Sequence, residues 1–209
     1  MRYGCARRST QTRRQHALAE LKDILQRGFG RGTCPHQLGF LLEFSLRRFI
    51  LSPERLADRL ELNETSRVLE LGPGPGYFSR AVARRVSKGY LLLADLQPEM
   101  LRKARGKLAE AGIRNTGFVQ ANGTSLPLSS GAWDCVFLVA VLGEVPDPAS
   151  CLLDIYRVLR HQGLLSLTEQ PGDPDFIALP DARKLVEGVG FRFEKVYGGG
   201  KNYTASFRK

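Results

Sequence analysis

Val68-Leu69-Glu70-Leu71-Gly72-Pro73-Gly74-Pro75-Gly76 is the stretch on which the reading of this chain turns. Its first four residues form a short apolar run broken by one carboxylate, the pattern of a strand buried on both faces. Three glycines alternating with two prolines end that run. Glycine lets the backbone approach a ligand closely and take up φ values that other residues resist. An amphipathic stretch follows over residues 77–86, so the unit reads strand, tight loop, helix. The free N–H groups at such a helix start favour an anion. In an open α/β sheet, ligands bind beyond the carboxyl ends of the strands.

Downstream the same alternation continues. Residues 90–94 are a second strand closed by Asp95, and Pro98 opens a helix to 111 that stops at Gly112. Residues 117–120, 133–139 and 164–168 are further short apolar runs. Asp147-Pro148 caps a helix to 159, and another covers 181–189. Such a series predicts an α/β domain built on a parallel sheet. The tail departs from it: residues 191–197 and 203–207 are joined across Gly198-Gly199-Gly200, a connection that suits only an antiparallel pair.

Asp95 lies nineteen positions after Gly76. A carboxylate there can accept both hydroxyls of a ribose. Two nucleotide-like ligands fit this description, NAD and S-adenosylmethionine (SAM). The dinucleotide fingerprint requires glycine or alanine where this chain has Tyr77. Glu70 is a poor neighbour for a pyrophosphate and a good partner for the ammonium of methionine. The closing hairpin is not the usual dinucleotide-binding arrangement. All three points favour SAM. Plainer readings stand beside them: Asp95 as a cap for the helix at Pro98, Asn122 as a turn residue, the glycines as packing devices.

Residues 68–170 resemble the SAM-binding domain of class I methyltransferases, especially the group that includes ubiquinone and menaquinone biosynthesis methyltransferases; the tail is similar more loosely. The resemblance implies a Rossmann-like α/β fold, with a mostly parallel seven-stranded sheet, helices on both faces and a C-terminal antiparallel hairpin. It implies SAM as cofactor; no metal is expected, because the cysteines and histidines stand at no metal-ligand spacing. By that likeness Glu70 holds the methionine amine and Gly72, Gly74 and Gly76 line the methionine moiety. Asp95 binds the ribose and Leu96 packs near the adenine. Asn122, followed by Gly123, stands where the family often has an aspartate on the adenine amine, and Val139 ends the strand that faces the reactive end of the cofactor. Replacement of Asp95 by alanine is expected to weaken SAM binding and leave the fold intact.

The 209 residues suffice for one such domain with some thirty to sixty residues left over. The organisation expected is a basic arm over 1–34, a helical lid over 35–62 and the SAM-binding domain over 63–209. Helices are expected at 15–26, at 36–50, and from the Ser52 cap to Leu60. The net charge of +10 is uneven, since no acid precedes Glu20 against Arg2, Arg7, Arg8, Arg13 and Arg14. That arm suits nucleic acid, an anionic membrane, organelle targeting or simple solvation. No apolar run has membrane-spanning length, because residues 38–51 are interrupted by Glu43, Arg47 and Arg48. Cys5, Cys34, Cys135 and Cys151 form no CxxC pair. Cys135 and Cys151 read as buried free thiols in a reducing compartment. The location expected is cytoplasmic, with a mitochondrial alternative from the arginine-rich start.

A sulfonium methyl is already electrophilic, so catalysis rests on aligning the acceptor and excluding water. A base is needed only where the acceptor loses a proton. Glu144 after strand four and Glu169 at the end of strand five stand on the usable side of the sheet; His161 stands on the other. His36 reaches the site only if the N-terminal helices form a lid. Glu144 is the preferred catalytic residue, against its reading as a solvated loop acid. No Asn/Asp-Pro-Pro-aromatic motif follows strand four and no Pro-Cys pair is present, which argues against the nucleic-acid methyltransferases those motifs mark. A small-molecule or lipid-like acceptor, such as a quinone precursor, is the main expectation. The alternatives are an RNA- or protein-directed enzyme using the basic arm, an NAD oxidoreductase, and a non-catalytic interaction protein.

Overall fold

The computed structural model describes residues 51–209. The helices expected over 15–26 and 36–50 lie outside them, as do Cys5, Cys34 and His36. In chain order the elements are α1 (Pro53–Arg59), β1 (Arg67–Leu71), α2 (Ser79–Arg85), β2 (Tyr90–Asp95), α3 (Pro98–Glu110), β3 (Thr116–Gln120), β4 (Trp133–Val139), a 3-10 turn (Leu142–Glu144), α4 (Pro148–Val158), β5 (Leu159–Glu169), α5 (Leu179–Gly188), β6 (Arg192–Gly199) and β7 (Asn202–Arg208).

The seven strands lie in the order β3-β2-β1-β4-β5-β7-β6. β1 through β5 run parallel, and β7 is antiparallel to both β5 and β6. The chain builds outward from β1 to β3 and returns to place β4 on the other side of β1. That reversal opens a crevice above the carboxyl ends of β1 and β4, where ligands of open α/β sheets sit.

Successive strand residues leave opposite faces, and each face has its own core. Leu69, Leu71, Leu138, Leu165 and Leu167 pack with Cys151, Ile155 and Val186 of α4 and α5. Val68, Leu91, Leu93, Cys135 and Phe137 pack with Leu56, Val82 and Ala104 of α1, α2 and α3. Both faces of β1 and β2 are thus covered, which is why their sequences are nearly continuous apolar runs. Cys135 and Cys151 are buried free thiols.

The helix starts follow local rules. Ser52 accepts the Arg55 N–H at 3.2 Å, Asp147 accepts that of Ser150 at 3.1 Å, and a proline opens each of these helices. One boundary differs from expectation: β5 begins at Leu159, directly after α4, instead of near 164. Leu159 pairs with Trp133, the register shifts before Cys135 pairs with Leu164, and Gln162 takes φ +59° within the irregularity. This bulge absorbs the polar residues Arg160, His161 and Gln162, which hid the strand in an apolar pattern. At the far end, Arg59 of α1 donates to Thr204 Oγ1 at 2.8 Å, and Glu61 pairs with Lys195 and Arg208. These contacts tie α1 to the closing hairpin. No helix among the described residues is long and apolar enough to cross a membrane.

Candidate active site

A cleft with about 1120 Å³ of empty space, part of it open to solvent, runs over the carboxyl ends of β1, β2 and β4. Glu70, the fourth residue of β1, lies at its floor with only 3% of its surface exposed. Ser79 Oγ, at the start of α2, donates to Glu70 Oε2 at 2.5 Å. Burial pushes the Glu70 carboxyl up to about 8; the Ser79 hydrogen bond draws it down and the Asp95 charge pushes it further up. A carboxyl so desolvated gains most from a cationic partner.

The glycine loop divides its duties. Gly72 has φ +68° and donates its N–H to Ala94 O at 2.8 Å. A Cβ there would lie 2.5 Å from Val141 Cγ2, so the loop and the segment after β4 touch only because residue 72 has no side chain. Gly74, at φ +52°, donates to Asp95 Oδ2 at 3.2 Å and lines the cleft. Gly76 is elsewhere: a Cβ on it would lie 3.0 Å from Ala104 Cβ of α3, and it borders an outer groove instead of the cleft. Of the three glycines, Gly72 and Gly74 stand at the cleft and Gly76 lets α3 pack close.

Asp95 ends β2 with its carboxylate pinned at both oxygens, Oδ2 by Gly74 and Oδ1 by the Gln97 N–H at 2.8 Å. Burial raises its pKa, against three backbone N–H groups that lower it. Each oxygen keeps a lone pair for a diol, so the capping and sugar-binding readings are compatible in one side chain. Leu96 stands half exposed at the cleft rim. Asn122 and Gly123 also line the cleft. The Asn122 amide oxygen accepts both the N–H and the hydroxyl of Thr124, each at 3.1 Å. It is therefore engaged in a turn, and an adenine amine would compete with Thr124 for it. Val139, the last residue of β4, faces the cleft, as does Glu144 in the 3-10 turn.

Sequence reasoning passed over two residues here. Ser79 is wholly buried on Glu70, and its signal was a small polar residue nine positions after a buried acid, at a helix start. Ala140 lines the cleft at φ +54°, a conformation disfavoured outside glycine, and donates to Thr168 O at 2.9 Å. Nothing in its residue type announces that conformation. It bends the chain after β4 so that Val141 covers Gly72.

The donor set suits SAM. A buried acid that accepts a hydrogen bond from a serine fits an ammonium, and a pinned carboxylate one strand away fits a sugar diol. A model of the methyltransferase domain family matches residues 69–167. Residues 69–167 are a class I SAM-dependent methyltransferase domain. The match spans β1 to β5, so it holds the cleft but not the hairpin. The ubiquinone/menaquinone biosynthesis C-methyltransferase UbiE of Marinomonas sp. (strain MWYL1) is 38% identical to this chain over 104 residues, which is 49% of this chain and 41% of that protein. The UbiE of Edwardsiella ictaluri (strain 93-146) is 35% identical over 123 residues, 58% of this chain and 49% of its own. The chain thus spans less than half the length of these two curated relatives. A SAM-dependent methyltransferase from Aquifex aeolicus superposes with a TM-score of 0.77 at 21% identity, over 84% of this chain and 98% of the other, and shares the fold of the methyltransferase domain.

SAM supplies the domain with an electrophilic sulfonium methyl. Towards it Glu70 would hold the methionine amine, Asp95 the ribose and Leu96 the adenine edge. Among the described residues, no group of three or more His, Cys, Asp or Glu could hold a metal ion.

Proposed function

We propose that this protein transfers the SAM methyl by in-line displacement to a small oxygenated-aromatic acceptor of the quinol type. The observation that carries the reading is the single cleft shared by Glu70, Gly74 and Asp95 at the strand-order reversal. It provides complementary groups for both ends of the amino-acid–nucleoside cofactor. The names of the UbiE relatives, which match across the cofactor-binding half, support the acceptor class. The apolar walls formed by Val139, Val141 and Val145 suit a ring more than a phosphate backbone. Glu144 lines the same wall and remains the candidate to influence a proton on the acceptor. Buried free thiols at Cys135 and Cys151 accord with a reducing compartment such as the cytoplasm.

The test is transfer of radiolabelled methyl from SAM, with substituted hydroquinones and total RNA offered side by side. Labelled hydroquinone with unlabelled RNA is the expected result. Label in RNA alone would favour the basic arm, with its five arginines before residue 20, as the acceptor-binding element.

A further inference from the structure

We propose that the buried end of β5 is an acceptor-recognition site in which Glu169 takes the ionisable hydroxyl of an oxygenated aromatic ring and receives its proton. The proposal rests on the reading that such rings are the acceptors.

Glu169 has 0% of its surface exposed, and among the described residues neither carboxyl oxygen has a hydrogen-bond partner. Buried polar groups are almost always paired, and an isolated buried carboxyl is among the costliest to leave alone. Two groups close by could have served it and do not. Tyr203, its cross-strand partner on β7, donates its hydroxyl to Ile177 O at 2.8 Å. The Ile177 N–H lowers the Glu169 pKa without reaching hydrogen-bond geometry. One residue on, Gln170 is also buried, with neither amide atom partnered.

Glu169 is not itself a lining residue of the cleft but lies one strand over from one. Val139 pairs with Thr168, and Ala140 donates to Thr168 O, so Glu169 lies level with the left-handed residue that lines the cleft. The 3-10 turn closes against the loop before α5, since a Cβ on Gly143 would fall 1.8 Å from Asp175 O. Glu169 is thus enclosed between the wall carrying Glu144 and the loop carrying Asp173. Among the described residues, the ionisable groups coupled to it are Asp173, Glu144 and Tyr203, and none of these is a cation. With burial, the two acids push Glu169 up to about 8.

These surroundings select the ligand. The negative charges of Asp173 and Glu144 disfavour a carboxylate or phosphate here. A hydrogen-bond donor that can give up its proton answers both the unpartnered carboxyl oxygens and the raised pKa. In the ionised form of Glu169, which prevails above about pH 8, the acceptor O–H bond breaks, the proton joins a Glu169 oxygen, and the electron pair stays on the acceptor oxygen, enriching the ring that meets the methyl donor.

The test titrates methoxyhydroquinone into the full chain saturated with S-adenosylhomocysteine, by calorimetry from pH 6 to 9, for the unsubstituted protein, Glu169→Gln and Glu169→Ala. Thermal unfolding and SAM affinity monitor folding. We expect Glu169→Gln to lose at least tenfold in hydroquinone affinity and the pH dependence near 8, with SAM affinity within twofold. Glu169→Ala should lose as much affinity as Glu169→Gln. Unchanged hydroquinone affinity in Glu169→Gln, no hydroquinone binding by the unsubstituted protein, or preferred binding of an aromatic amine of the same shape overturns the proposal. Methyl transfer to hydroquinone that is indifferent to Glu169 sinks this inference alone. Glu169-dependent hydroquinone binding with no transfer to any phenolic acceptor sinks the functional reading instead.

Discussion

Ser79 Oγ stands 2.5 Å from Glu70 Oε2, and both residues are buried where β1 hands over to the glycine loop and α2. The hydroxyl favours the ionised carboxylate, while burial favours the protonated one. Burial dominates, so ligand-free Glu70 carries its proton at neutral pH and must release it to bind an ammonium. SAM affinity should therefore rise with pH towards about 8, and binding at pH 7 should release a proton. Calorimetry in two buffers of different ionisation enthalpy reads this directly; buffer-independent heats would refute it.

Ser79→Ala removes the donor that lowers the Glu70 pKa. SAM affinity at pH 7 should fall by about tenfold, the size of one charged hydrogen bond. The midpoint of its pH dependence should also move to higher pH. A purely structural role for Ser79 would lower stability and leave that midpoint in place.

Asp95→Ala should cost more than the sequence suggested. Loss of the ribose contacts should weaken SAM binding by ten- to a hundredfold, on the order of 1.5–3 kcal/mol. Yet the same carboxylate holds the Gly74 and Gln97 amides. Removing it leaves two backbone donors to find water, at about 1–2 kcal/mol of stability. Chemical denaturation should show that loss; unchanged stability would mean that the loop does not depend on Asp95.

Gly72→Ala combines a left-handed φ with a contact of 2.5 Å to Val141. We expect a loss of about 2 kcal/mol or more, and weaker SAM binding because Val141 lines the cleft. Gly112→Ala has a similar φ, +72°, but nothing within 4 Å of the added carbon. It should cost only about 1 kcal/mol. Equal thermal shifts in the two variants would contradict this account.

Glu70 and Glu169 are both raised to about 8 in the folded chain. Between pH 4.5 and 8 the folded protein keeps protons that the unfolded chain releases, so stability falls as pH rises through that window. The Tm of the ligand-free protein should drop from pH 5 to pH 8 and then level off. Saturating SAM should shrink the drop by supplying Glu70 with a cation. Glu169→Gln should flatten it further and raise the Tm at pH 8, whereas a Tm that climbs with pH would be incompatible with both shifts.

Glu144→Gln tests the wall of the cleft. Its negative charge raises the Glu169 pKa, so removing it should lower that pKa and move any activity break attributed to Glu169 to lower pH. An activity loss with an unmoved break would instead favour direct contact between Glu144 and the acceptor, as the sequence reading preferred.

The amino-acid order was sufficient for the fold class, because local patterns carry it. Apolar runs between helical stretches mark a parallel sheet covered on both faces, and two strand-like runs joined across Gly198-Gly199-Gly200 mark a hairpin. Glu70 and Asp95 were legible because each sits at a set distance from the glycine loop. Leu159 was not legible as a strand residue, since the bulge that lets it pair with Trp133 involves polar side chains.

Sequence by itself determined the chemistry available: an acid before a glycine loop, a second acid after the next strand, and acids beyond strands four and five. Only the tertiary structure decided which of these groups have partners. It gave Glu70 a serine nine residues away, divided Asp95 between two amides, engaged the Asn122 oxygen with Thr124, and left Glu169 buried with none among the described residues. The reason is that hydrogen-bond satisfaction and desolvation depend on what packs across strands and loops, and those neighbours are far apart in the chain.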